Sequence, residues 1–192
     1  VSDAKGGHIQ PVLGIGLEKQ LTEWQADNLS GFMDMGPVRV GNQAHEHFQH
    51  DTYGNVILGA APAFFDRRLR MDIGPHAFAM LEPLGEQAWA LHTEPDAGIW
   101  ELRTRSRIHT SSSLMCWAAC DRLAKIAACL SIPDRARFWR DRADTIKAKI
   151  LGEAWSDKRQ AFVESFGGET PDASVLLMGE DNFLRASGDR FK

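Results

Sequence analysis

The sequence predicts an all-α protein built from two layers of helices, and two neighbouring segments support this prediction. Residues 114–130 are apolar on every side of a helix, and a helix of that kind is enclosed by protein. Residues 134–150 follow after a short turn and place their apolar side chains on one stripe, which is typical of a helix with one face in water. A buried helix joined to an amphipathic helix is the unit from which two-layer helical arrays are built.

The first third of the chain is expected to begin irregularly and then become helical. Residues 1–42 are rich in glycine, and only Leu17–Trp24 shows the pattern of a short helix. Helical periodicity then extends from Gln43 to about Arg70.

A second helix is predicted over His76–His92, after the break at Gly74-Pro75. Pro83 and Gly85 are expected to kink or split this helix, because proline removes a helical hydrogen bond. Residues 94–108 combine turn formers with scattered apolar side chains and are predicted to form a loop.

The amphipathic helix has clear start signals. Ser131 is the predicted N-cap, and Pro133 falls in the first turn. Its buried stripe consists of Trp139, Ala143, Ile146 and Ile150. The opposite face offers Arg137–Asp141 and Arg140–Asp144 as ion pairs four residues apart.

Composition and charge exclude several classes of partner. The 192 residues are 43% hydrophobic and have a formal net charge of -4, so neither nucleic acid nor an anionic membrane is expected. No apolar run reaches the length of a membrane span. The only cysteines, Cys116, Cys120 and Cys129, form no disulfide framework. Cys116 and Cys120 are expected to be buried thiols, and the protein is expected to be cytoplasmic.

The segment from Glu94 to Arg103 offers the most informative chemistry. A Pro/Asp/Gly turn leads into Ile99 and Trp100, and Glu101 follows directly. A carboxyl beside an indole and an aliphatic side chain is partly desolvated, which raises its pKa. Such a group can protonate a glycosidic oxygen, so Glu101 is a candidate general acid. In the alternative interpretation, Trp100 is a core anchor and Glu101 is a solvated carboxylate at a helix start.

Five ordered segments resemble glycoside hydrolase family 15, which includes glucoamylases, glucodextranases and some microbial trehalases. The segments are Gly36–Asn42, Gln49–Gly54, Gly98–Glu101, Met115–Arg122 and Ala161–Gly167. The resemblance extends from about Leu29 to Phe191. It implies an (α/α)6 toroid and a cofactor-free, inverting hydrolysis of α-glucosidic bonds that releases glucose.

In an inverting mechanism one carboxyl protonates the leaving oxygen, while a second carboxyl about 6.5–9.5 Å away activates water. Glu101 matches the acid of the family. The family's base lies beyond the position that matches Lys192, so residues 1–192 are expected to be the central part of one catalytic domain, incomplete at both ends and inactive alone.

Two positions depart from the family pattern. Gly36 stands where many relatives have an arginine, and Ser113 stands where many have a lysine. Both changes remove a cation and leave the sugar contacts there open. The resemblance implies an enzyme of glucoamylase type, similar to a glucan 1,4-α-glucosidase, with a trehalase of the same family as the alternative. The substrate is undecided between maltooligosaccharides, dextran and trehalose.

Four further residues are candidates for contacting the sugar: Arg39, Asp51, Trp100 and Arg103. Each arginine can direct two N–H groups at sugar hydroxyls or at a carboxylate, and structural ion pairing is the alternative role for both. Asp51 is expected at a helix turn near the sugar cleft, and a solvated helix start is its alternative.

Three histidines, His45, His47 and His50, suggest a metal site at first sight. On a helix His45 and His47 would point about 200° apart, so only His47 and His50 are neighbours. Two ligands make a poor site, and no metal is predicted.

Two functions of another class remain open. The chain alone is expected to be a non-catalytic helical piece if its ring is incomplete, and exposed inner helices would then favour self-association. A sugar-binding module that binds without turnover is the third possibility.

Overall fold

Helices dominate the computed structural model, which describes residues 9–69, 73–185, 187, 188 and 190. The described residues form the helices α1 Asp51–Ala60, α2 Pro62–Phe65, α3 Pro75–Leu91, α4 Thr110–Cys129, α5 Pro133–Glu153 and α6 Leu177–Glu180. Short 3-10 helices occur at Phe32–Asp34, Gln43–Glu46, Arg67–Leu69 and Ala173–Leu176. The all-α prediction is confirmed at this level. Within the described ranges, no helix combines the length and apolarity needed to cross a membrane.

Two short antiparallel strand pairs accompany the helices. Strands β1 Trp24–Gln25 and β2 Arg39–Val40 pair with each other, as do β3 Trp155–Ser156 and β4 Ala161–Phe162. The helix predicted over Leu17–Trp24 is therefore wrong. A backbone carbonyl of this segment instead bonds to a residue far along the chain, because the Asn42 amide donates to the Leu21 carbonyl at 2.9 Å.

Helix α4 lies at the centre of the fold and packs against α1, α3 and α5. Its residues from 110 to 121 are all buried, which confirms the predicted enclosure for this part of the helix. Lys125, Ala128 and Cys129 are exposed, so the last turns are not enclosed. Close packing with α1 depends on Gly54, because a Cβ at that position would overlap the Met115 carbonyl group. The six-hairpin ring stays a prediction.

Helix α5 covers α4 with the predicted stripe. The side chains of Trp139, Ala143, Ile146 and Ile150 are fully buried. The predicted ion pairs are only half right. Arg140 reaches Asp144 at 3.9 Å and the buried Asp121 at 2.8 Å, but Arg137 pairs with Asp134. The helix begins after Ile132 and has no side-chain cap, so the predicted N-cap at Ser131 is wrong.

The two predicted helices of the first half differ from the structure in opposite ways. The region from Gln43 to Arg70 is not one helix. A 3-10 helix ends at Glu46, α1 and α2 follow between Asp51 and Phe65, and Arg70 lies outside the described residues. Helix α3 in contrast continues through Pro83 without splitting. Close packing compensates for the helical hydrogen bond that Pro83 removes, because Gly85 lets Leu123 and Trp139 approach the α3 backbone.

Candidate active site

The predicted loop between α3 and α4 is confirmed and has a defined shape. Asp96 and Arg107 exchange two backbone hydrogen bonds of 3.0 and 3.2 Å, which close the loop at its base. We name the enclosed residues 97–106 the acid loop. Gly98 adopts a φ of 68°, and a Cβ there would lie 2.7 Å from the His109 ring. The turn that leads to Glu101 therefore requires glycine at this position.

Glu101 lies in the middle of the acid loop and is partly buried. Its backbone is left-handed, with a φ of 52°, and its amide donates to the Gly98 carbonyl at 3.1 Å. Gln49 donates from Nε2 to Glu101 Oε1 at 3.2 Å. Glu101 thus lies on a turn and not at a helix start.

The side chains before Glu101 are more exposed than expected. Trp100 is 58% exposed and Ile99 is 41% exposed, so the interpretation of Trp100 as a core anchor is wrong. The indole is nevertheless fixed, because its Nε1 donates to both oxygens of Asp172 at 2.9 and 3.1 Å.

Asp172 also caps the 3-10 helix Ala173–Leu176 by accepting from the Ser174 amide at 2.8 Å. Burial alone would raise the pKa of Asp172, but the hydrogen bonds from Ser174 and Trp100 outweigh burial and hold its pKa below the usual value. Its contact with Trp100 spans 72 residues of sequence, and no local signal predicts it.

A cleft of about 240 Å³ opens between α1, α4 and α6. It is lined by Asp51, Asn55, Leu58, Ile99, Ser111, Met115, Leu177, Glu180 and Asp181. A smaller cavity of about 190 Å³ is lined in part by Trp100 and shares three residues with the cleft, Ile99, Leu177 and Glu180. The acid loop therefore contributes side chains to both spaces.

Asp51 is the first residue of α1 and faces this cleft. It is only 7% exposed, so the alternative of a solvated helix start is wrong. Burial, and after it the negative charge of Asp96, raises the pKa of Asp51 to about 6. Asn55 donates to one carboxylate oxygen at 3.1 Å, while the other has no partner among the described residues.

Arg39 and Arg103 meet on a carboxylate that the sequence did not single out. Arg103 grips both oxygens of Glu23 at 2.7 and 2.8 Å, and Arg39 donates to the same group at 2.6 Å. These hydrogen bonds, from Arg103 first and then Arg39, lower the pKa of Glu23 to about 2. The ion-pair alternative is thus confirmed for both arginines, and the cluster ties the far end of the acid loop to the β1–β2 segment.

The three histidines do not share one helix. His45 lies in a 3-10 helix, His47 follows it, and His50 precedes α1, so the helical-period argument does not apply to them. Within residues 9–69 and the other described ranges, no three His, Cys, Asp or Glu side chains converge to hold a metal ion.

The sequence is similar to known proteins over its whole length. The family model of glycosyl hydrolases family 15 matches residues 5–191. A trehalase of Mycobacterium tuberculosis is 36% identical over 184 residues, which cover 96% of this chain and 26% of that protein. A trehalase of Mycolicibacterium smegmatis is 35% identical over 195 residues, covering 100% of this chain and 29% of that protein.

A third relative is similar over a shorter part of the chain. Trehalase 2 of Sulfolobus acidocaldarius is 33% identical over 169 residues, which cover 88% of this chain and 29% of that protein. The chain spans between 26% and 29% of the length of these three relatives. No solved structure matches the chain.

Proposed function

The chain belongs to the glycosyl hydrolases of family 15, and from this membership we propose that it supplies the general-acid half of an inverting α-glucosidase site. Glu101 is the proposed acid. The observation that supports it best is the position of Glu101 on a closed, hydrogen-bonded loop, directly after Ile99, which lines the cleft, and Trp100, which lines the smaller cavity.

In the proposed reaction, Glu101 gives its proton to the glycosidic oxygen as the bond from that oxygen to the anomeric carbon breaks. A second carboxyl takes a proton from the water that attacks this carbon on the opposite face. The family resemblance assigns that base to a position outside residues 1–192. We therefore propose that this chain forms the central part of one (α/α)6 toroid, and that helices outside residues 1–192 complete the ring.

The proposed sugar contacts come from four side chains around the acid loop. Asp51 lines the cleft with a carboxylate that can accept a hydrogen bond from a sugar hydroxyl, and the fixed, exposed indole of Trp100 suits the apolar face of a sugar ring. The side chains of Arg39 and Arg103 remain 40% and 42% exposed after pairing with Glu23. Each guanidinium therefore keeps N–H groups for a sugar hydroxyl.

The proposed substrate is trehalose, in preference to maltooligosaccharides or dextran, because the relatives described above bear the name trehalase. Glucose release from the three sugars by the complete protein separates these substrates. Turnover of trehalose at least tenfold faster than of the others supports the proposal, and turnover of maltooligosaccharides alone assigns the chain to the glucoamylase type.

Replacement of the acid tests the role of Glu101. Glu101→Gln is expected to lower kcat by a factor on the order of 10² to 10⁴ with little change in thermal stability. Glu94→Gln is a matched control, because Glu94 is an exposed carboxylate at the start of the same loop region. Near-normal turnover by Glu101→Gln would rule out the assignment.

We also propose that the 192-residue chain by itself does not turn over sugar and tends to self-associate. Most of helix α4, the expected apolar surface, is buried, and most of the large exposed apolar side chains among the described residues precede α1 in the sequence. They include Ile15, Leu17, Trp24, Leu29, Phe32, Met33, Met35 and Val40. Light scattering that finds a monodisperse, fully active monomer would overturn this part of the proposal.

A cytoplasmic location is proposed from cysteine usage. Cys116, Cys120 and Cys129 are free thiols, which fits a reducing compartment. Fractionation of cells that contain the protein tests this location.

A further inference from the structure

The acid loop is closed at its base by one residue that the mechanism does not use. Asp96 makes the two backbone hydrogen bonds with Arg107 that define the loop, and Glu101 follows five residues later. The side chain of Asp96 is directed away from water, since the residue is only 2% exposed.

The Asp96 carboxylate joins three parts of the fold through a single oxygen. Oδ2 accepts from Ser112 Oγ at 2.7 Å and from the His50 amide at 2.9 Å. Ser112 lies in the first turn of α4, and His50 directly precedes α1. A negative charge is favoured at both helix starts. These two helices also present Asp51 and Ser111 to the cleft.

The other side-chain contacts of the acid loop lie nearer to water. Gln49 reaches Glu101 through one hydrogen bond of 3.2 Å, and the Arg103 side chain that grips Glu23 is 42% exposed. Hydrogen bonds to a buried charge are stronger than those that water competes for. No donor among the described residues reaches the other Asp96 oxygen, so the contacts with Ser112 and His50 hold this carboxylate.

We propose that Asp96 is the positioning residue of the acid loop, which fixes Glu101 relative to the starts of α1 and α4. The catalytic part of this inference rests on the proposed function of Glu101, whereas the structural part does not. Asp96 acts through the loop and does not contact the sugar.

Amide hydrogen exchange of the complete protein tests the structural part. Asp96→Asn keeps the size of the side chain but removes its charge, and Ser112→Ala removes one donor. Exchange over residues 97–106 is expected to accelerate about tenfold in Asp96→Asn and less in Ser112→Ala. Exchange within α5 should stay unchanged in both.

Ser113→Ala is the matched control for the exchange measurement. Ser113 is as buried as Ser112 and lies in the same helical turn, but its hydroxyl donates to the His92 carbonyl at 2.7 Å and not to Asp96. The acid loop should exchange at the normal rate in this variant. Equal acceleration in Ser112→Ala and Ser113→Ala would overturn the inference.

Kinetics of the complete protein test the catalytic part. Asp96→Asn is expected to lower kcat about 10- to 100-fold while KM changes less than about threefold, because a displacement of about 1 Å costs this much in rate. Unchanged loop exchange in Asp96→Asn, or acceleration that is equal in the loop and in α5, overturns the inference. If Glu101→Gln retains activity, the proposed function fails, while the exchange result still decides whether Asp96 holds the loop.

Discussion

Replacing Gly54 by alanine is expected to destabilise the protein through the contact between α1 and α4. An alanine Cβ at this position would overlap the Met115 carbonyl oxygen and lie 2.7 Å from its carbon and 2.8 Å from the Met115 Cβ. Backbone atoms cannot turn aside as a flexible side chain can. The two helices must therefore separate, which loosens the packing beside the cleft.

The magnitude follows from two opposing effects. Alanine in a helix gains about 0.5–1 kcal/mol over glycine, whereas overpacking a well-packed core costs about 1–3 kcal/mol. We expect Gly54→Ala to lower the free energy of unfolding by about 2 kcal/mol. This value lies near the upper end of the difference between the two effects, because the overlap is with backbone atoms. Gly59 lies on the same helix, is exposed and has nothing within 4 Å of its Cβ position, so Gly59→Ala should gain about 0.5–1 kcal/mol.

Thermal and urea unfolding, followed by far-UV circular dichroism, compare the two variants directly. A difference of about 3 kcal/mol corresponds to about 6–12 °C in Tm for a chain of this size. A Tm of Gly54→Ala equal to or above that of Gly59→Ala would refute the claim that close helix approach holds α1 against α4.

Three further perturbations have defined outcomes. The pKa of Asp51 is about 6 against an ordinary 3.8, so between about pH 4 and 6 the folded protein holds a proton that the unfolded chain has released. The folded state is therefore less stable at pH 6 than at pH 4. The free energy of unfolding of Asp51→Asn should therefore increase relative to that of the unaltered protein by up to about 3 kcal/mol over this range, as measured by urea unfolding. A difference between the two proteins that does not change with pH contradicts this prediction. Trp139→Ala empties a fully buried site and should cost about 3–5 kcal/mol in urea unfolding; a loss below about 1 kcal/mol contradicts this. Asp172→Ala frees the Trp100 indole and should raise KM about fivefold, the equivalent of one hydrogen bond; a fall in kcat alone contradicts this.

The central helices could be predicted from the sequence because their signals are local. A segment that is apolar on all sides predicted α4, and a single apolar stripe predicted α5. Both predictions lie within a few residues of the observed helix bounds. Such periodicity reports burial directly. The β1–β2 pair could not be found this way, since strands of two residues are too short to show alternation and form only through partners far along the chain.

The candidate site was predictable only in part, for a similar reason. Glu101 and Asp51 were identified from their motifs, and the structure places Asp51 at the cleft. The roles of Glu23 and Asp96 arise from tertiary contacts. Asp96 stands in a Pro/Asp/Gly sequence that resembles an ordinary turn, and its bonds to Ser112 and His50 join segments 16 and 46 residues away.

The most direct test of the account compares Glu101→Gln with the unaltered protein on two substrates, trehalose and α-glucosyl fluoride. Fluoride departs as a stable anion, whereas a sugar needs a proton from the acid. We predict that kcat/KM falls by a factor on the order of 10³ on trehalose but by less than about tenfold on the fluoride. Equal losses on both substrates, or no loss on trehalose, would contradict the role of Glu101 as the proton donor.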